Sequence, residues 1–109
     1  MAVPSVNIVI EKNTDFSTNF KLKKDGALLD LSSYTFTSKL RKHYTASSSY
    51  NFTVTPIAPL TSGIVRIGMA STITATIPSG RYVYDVLATS SGTTIKVIEG
   101  TVIVKGTAT

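Results

Sequence analysis

The sequence predicts an all-β domain, a sandwich of about seven antiparallel strands with one short helical turn near residues 70–77. Three observations carry that expectation. Apolar and polar residues alternate with period two along most of the chain, Gly, Pro, Asp and Ser interrupt the alternation, and a 3.6-residue apolar pattern is nowhere sustained. At 109 residues, 42% hydrophobic and 16% charged, residues 1–109 read as a single domain able to bury its own core.

The first expected strand is Val6 to Glu11, with Val6, Ile8 and Ile10 on one face. Asp15 to Lys23 follows, with Phe16, Thr18, Phe20 and Leu22 inward and Ser17, Asn19 and Lys21 toward water. Lys24-Asp25-Gly26 is a turn, because glycine supplies the positive φ of a tight reversal. Leu28, Leu29 and Leu31 then cover one end of the core within the connection Ala27 to Ser33. Tyr34 to Tyr44 alternates again, with Tyr34, Phe36 and Leu40 inward, and Tyr50 to Thr55 gives a fourth strand closed by Pro56. Ile64 to Met69 is a short fifth strand. In Ala70 to Ile77, Ser71 or Thr72 caps a single turn that puts Ile73 and Ile77 on one side, and the threonines among them oppose a longer helix.

The last hairpin runs from Gly80 to Lys105 through Ser90-Ser91-Gly92. Tyr82 and Tyr84 share the inward parity with Val86 and Ala88, and one of them is a candidate for the tyrosine corner that ties a strand to the turn before it. Along the second arm the apolar parity changes between Ile95/Val97 and Val102/Val104, so a bulge is expected at Glu99-Gly100. Seven strands with turn signals at roughly 8–15-residue intervals suit an immunoglobulin-like sandwich, with a small barrel as the competing architecture.

Catalytic chemistry is hard to place. There is no cysteine and a single histidine, His43, beside Lys42 at a strand fringe, so thiolate metal sites and His-dependent schemes find few residues. The six carboxylates fall mostly at turns and strand starts, and no phosphate-cradling glycine motif occurs. Asp85 is expected on the outer face or at an end, paired with Arg66, Arg81 or Lys96 rather than acting as an acid. Asn51-Phe52-Thr53 matches the glycosylation sequon, but Met-Ala-Val-Pro-Ser lacks the start of an export signal, so the match reads as accidental. No run approaches the ~18 apolar residues of a membrane span. The formal net charge is +5, with Lys and Arg spread along the chain. Lys21, Lys23, Lys39, Arg41 and Lys42 offer a basic surface, with Tyr34, Tyr44 and Tyr50 as aromatic residues beside it, but Tyr34 and Tyr50 fall on the apolar parity, and stacking platforms need exposed rings. Nucleic acid is therefore not an expected partner.

Five stretches together carry a resemblance. They are Lys24-Asp25-Gly26-Ala27-Leu28-Leu29-Asp30-Leu31, Lys39-Leu40-Arg41, Gly63-Ile64-Val65, the run from Ile77 through Gly80-Arg81-Tyr82-Val83-Tyr84-Asp85 to Val86, and Glu99-Gly100-Thr101-Val102-Ile103-Val104. This arrangement, from about Asn7 to Val104, resembles small immunoglobulin-like β-sandwich modules of tailed-bacteriophage virion proteins, nearest to the N-terminal module of upper-baseplate proteins. The resemblance implies a non-enzymatic structural protein assembled in many copies in a tail, baseplate, neck or capsid surface. Its partners would be other virion proteins and copies of itself, with no cofactor, no small-molecule substrate and no membrane. It would be made in the host cytoplasm and located in the virion. A free-standing binding module for carbohydrate or a surface protein is the alternative.

An assembly protein of this kind can use sheet edges for strand addition. The expected edges are Val6 to Glu11, presenting Val6 and Ile8, and the arm Thr101 to Lys105, presenting Ile103. Ile57 and Leu60 in the loop Pro56 to Gly63 are further candidate interface residues, as are Lys39 and Arg41. The polar end Thr107-Ala108-Thr109 is expected to order only in an assembly.

Overall fold

The computed structural model describes residues 5–24 and 26–107. Asp25 of the expected turn, and Ala108 and Thr109 of the expected polar end, lie outside the described residues.

Alternation yields strands β1 (Ile8–Glu11), β2 (Phe16–Lys21), β5 (Thr35–Arg41), β6 (Tyr50–Pro56), β7 (Ile64–Met69), β8 (Gly80–Ser90) and β9 (Thr93–Lys105). A short hairpin, β3 (Lys23–Lys24) with β4 (Ala27–Leu28), and the single helical turn α1 (Ser71–Thr74) complete the set. The seven main strands are hydrogen-bonded in the order β1-β9-β8-β5-β6-β7-β2. β6 turns the corner: Tyr50 to Phe52 pair with β5, and Thr53 to Pro56 pair with β7. The ladder thereby folds into two layers, and the neighbours β5-β8-β9 and β2-β7 match the pairings of an immunoglobulin-like sandwich. One pairing departs from the antiparallel expectation: β1 runs parallel to β9, with Ile8 opposite Val102 and Ile10 opposite Val104.

The core lies between the layers. Ile10, Leu40, Val65, Ile67, Ile77, Tyr84, Val86 and Val102 are all fully enclosed, each inward by strand parity except Ile77, which follows α1. Leu29 and Leu31 close one end as expected, while Leu28 remains exposed. Phe52 sits edge-on to Tyr84 at 6.0 Å between centroids, and Phe16 lies 6.1 Å from Phe52. Burial of such side chains stabilises the fold by roughly 1.5–3 kcal/mol each.

The tyrosine corner is present, and Tyr82 makes it by donating its hydroxyl to the Pro78 carbonyl at 2.6 Å. Tyr84 donates instead to the Val6 carbonyl at 2.7 Å, fixing the segment that leads into β1.

Three local expectations are corrected. The bulge lies at Val97, not at Glu99-Gly100: Val86 pairs with Ile98 and Leu87 with Lys96, leaving Val97 as the extra residue. Gly100 continues the ladder opposite Tyr84, and a Cβ there would run into the Val6 backbone. The glycine therefore answers a close approach of another backbone segment. In α1, Ile73 points outward while Ile77 is buried. No side chain of α1 caps it; Asp15 Oδ1 accepts from the Ser71 N–H at 2.7 Å. Buried Thr74 donates to the Thr14 carbonyl at 2.8 Å, so the turn is tied to the start of β2.

Candidate functional site

Two surfaces stand out from the fold, one on the outer face of the larger layer and one at the open side of the sandwich. On the outer face, strand register sets Lys39 beside Asp85 and Asp85 beside Glu99. One row away, Thr37 adjoins Leu87 and Leu87 adjoins Lys96. Past β5 the chain loops back, held where Arg41 Nη1 donates to the Ala46 carbonyl at 2.6 Å. That loop brings the Tyr44 ring, 58% exposed, within 5.6 Å of Lys96 Nζ.

The result is a shallow cavity of about 280 Å³ lined by Thr37, Lys39, Arg41, Tyr44, Asp85 and Leu87, among others. Lys96 approaches Glu99 at 3.3 Å and Asp85 at 3.9 Å. Both contacts are solvent-accessible, where such pairs stabilise by roughly 0–1 kcal/mol, so their role is to arrange charge. Asp85 thus has Lys96 as its basic partner, one of the three expected. The shelf combines an aromatic face, a hydroxyl, cations and a carboxylate, the groups that hold a polar ligand by stacking and hydrogen bonds.

The other surface is where the two layers fail to join. β1 and β2 end the ladder on opposite sides, and a cleft of about 190 Å³ runs between them, lined by Val6 to Val9 and by Phe16, Thr18 and Phe20. Those β2 side chains point inward by parity yet are only half-buried, whereas Met69, Ile67 and Val65 opposite them on β7 are buried. Among the described residues no strand pairs with the outer edge of β2.

The candidate interface residues do not converge. Lys39 and Arg41 are on the shelf. Val6 and Ile8 line the cleft, but Ile8 is buried in the core, and Val6 is half-buried and held at both polar groups, its N–H donating to Glu99 and its carbonyl accepting from Tyr84. Ile103 belongs to an internal strand, with Val9 on one side and Arg81 on the other, so the expected edge at the last arm is replaced by β2. Ile57 is half-buried and Leu60 exposed in a 3₁₀ turn of the loop before β7. His43 is exposed, with Nδ1 3.1 Å from the Thr45 hydroxyl.

Sequence reasoning sets Tyr44 with Lys39 and Arg41 but extends the strand to Tyr44, whereas the strand ends at Arg41 and Tyr44 lies in the loop beyond it; it misses β2 as an edge. For β2 the signal is the near-palindrome Asp-Phe-Ser-Thr-Asn-Phe-Lys. No family model matches this sequence, and no curated protein matches it either.

Proposed function

We propose that this protein is a non-enzymatic structural module of a tailed-bacteriophage virion, assembling through protein–protein contacts with copies of itself and other virion proteins in the tail, baseplate, neck or capsid surface. The observation that supports the reading is the open side of the sandwich, where inward-pointing Phe16 and Phe20 are half-buried beside a strand edge left unpaired among the described residues. An uncovered edge of this kind is a template for pairing with another chain. The motif resemblance supplies the kind of assembly. Mass spectrometry of purified particles of the phage encoding this chain is expected to find it in fixed ratio to other virion proteins; particles lacking it would sink the reading.

A second reading, a carbohydrate-binding module, is favoured by the shelf with its exposed Tyr44 ring. Glycan-array binding that disappears in Tyr44→Ala while the fold persists would establish it, and an array with no bound glycan would remove it.

A further inference from the structure

The open edge of β2 carries a sequence that is complementary to itself. Reading outward from Thr18, the neighbours are Ser17 and Asn19, then Phe16 and Phe20, then Asp15 and Lys21. Two such strands laid antiparallel about Thr18 set Phe16 opposite the second copy's Phe20, Ser17 opposite its Asn19, and Asp15 opposite its Lys21. Each of these pairs occurs twice by symmetry, as an isologous interface requires. Same-face pairing is preserved throughout, because each residue meets one of its own parity.

The structure adds four observations. The Leu22 N–H donates to the Gly63 carbonyl at 2.7 Å on the β7 side. Alternation along the strand then aims the polar groups of Ser17, Asn19 and Lys21 at the open edge. Phe16 and Phe20 are half-buried and line the cleft at that side, whereas Met69 and Val65 opposite them on β7 are buried. Asp15 is positioned by its 2.7 Å contact to Ser71 through Oδ1, which leaves Oδ2 for a cation, and Lys21 has no ion pair among the described residues. β2 has neither proline nor a bulge to discourage pairing.

We infer that two copies of this chain associate through β2, antiparallel and centred on Thr18, with Phe16–Phe20 contacts closing the side of both sandwiches and Asp15–Lys21 pairs fixing the register. The inference deepens the assembly reading above and rests on it for the use of sheet edges, while naming the partner as a second copy.

The chain has no cysteine, so Thr18→Cys introduces a sole thiol. Centred pairing puts the two Thr18 residues in a non-hydrogen-bonded pair with Cα atoms ~4.5 Å apart, within disulfide reach. Under a mild oxidant Thr18→Cys is expected to form a covalent dimer at least about tenfold faster than Ser17→Cys, whose thiols lie two residues out of register. A mixture of Ser17→Cys and Asn19→Cys should cross-link where neither does alone. In sedimentation equilibrium, Lys21→Asp should weaken the dimer about tenfold by setting carboxylates opposite each other twice. Asp15→Lys/Lys21→Asp should bring the affinity back.

A wild-type chain that stays monomeric at its highest soluble concentration overturns the inference. So does Thr18→Cys cross-linking no faster than Ser17→Cys, or a folded Lys21→Asp with unchanged association. A β2 dimer in solution with no such chain in purified particles keeps this inference and removes the virion reading; a virion component with β2 unpaired from itself does the reverse.

Discussion

Tyr82 and Tyr84 leave β8 on the same face but hold different parts of the molecule. Tyr82 ties β8 to the turn at Pro78, and Tyr84 ties it to Val6, far away in sequence. Removing one hydroxyl, as in Tyr82→Phe, should cost about 0.5–1.5 kcal/mol in urea unfolding. Tyr84→Ala should cost about 3–5 kcal/mol, because it also leaves a cavity against Phe52. Burial pushes the Tyr84 hydroxyl from the ordinary 10.0 up to about 12, and burial, with Tyr50 nearby, raises that of Tyr82 as well. A folded value above the unfolded one means the contribution is intact below pH 10 and is lost as pH rises through about 12. Urea midpoints should therefore fall across that window, and Tyr84→Phe should flatten the fall; a midpoint independent of pH there would contradict the account. Gly100 completes the group. Gly100→Ala would press on the Val6 backbone and should cost about 1–3 kcal/mol, with hydrogen-exchange protection lost first at Val6 and β1.

Within β9 the bulge at Val97 restores parity. Ile95 and Ile98 both face inward although three positions apart, and the extra residue between them makes this possible. Deleting Val97 should leave Leu87 opposite Lys96 and Val86 opposite Ile98, so the domain should fold with only the loss of one buried valine, about 1.5–3 kcal/mol. Deleting Gly100 should slip one flank of the ladder by one residue, turning Val102 and Val104 or their counterparts toward water, and abolish folding. Cooperative melts of the two deletions decide between this placement of the bulge and one at Gly100. Most strands and their inward faces were legible from alternation alone, since period-two burial depends on near neighbours in the chain. The bulge was not, because Val97 and Ile98 are both apolar and both buried, and Glu99-Gly100 offered a more visible irregularity. The role of Gly100 is hidden for a related reason: its constraint comes from Val6, a contact that no local pattern encodes. Ile73 faces outward because α1 is a single turn that Thr74 and Asp15 orient through the start of β2.

At the scale of the molecule, the edges decide what the sandwich can join. Parallel pairing with β1 takes β9 into the interior of the ladder, and pairing of β7 with β6 and β2 leaves β2 outermost. Periodicity identifies strands without ordering them, which is why the sequence points to β9 rather than β2 as the second edge. The same limit scattered the candidate interface: Lys39 and Arg41 found a common shelf, while Ile8 went to the core. The half-buried phenylalanines of β2 beside an open cleft are the feature the proposed assembly would use. The most direct measurement is a cryo-EM map of the intact phage particle in which the proposed function would place this chain. The account predicts symmetry-related copies of this sandwich in the tail, baseplate, neck or capsid surface, each with density against the outer edge of β2. A complete map with no place for the sandwich, or one that shows its β2 edges open to solvent, would contradict it.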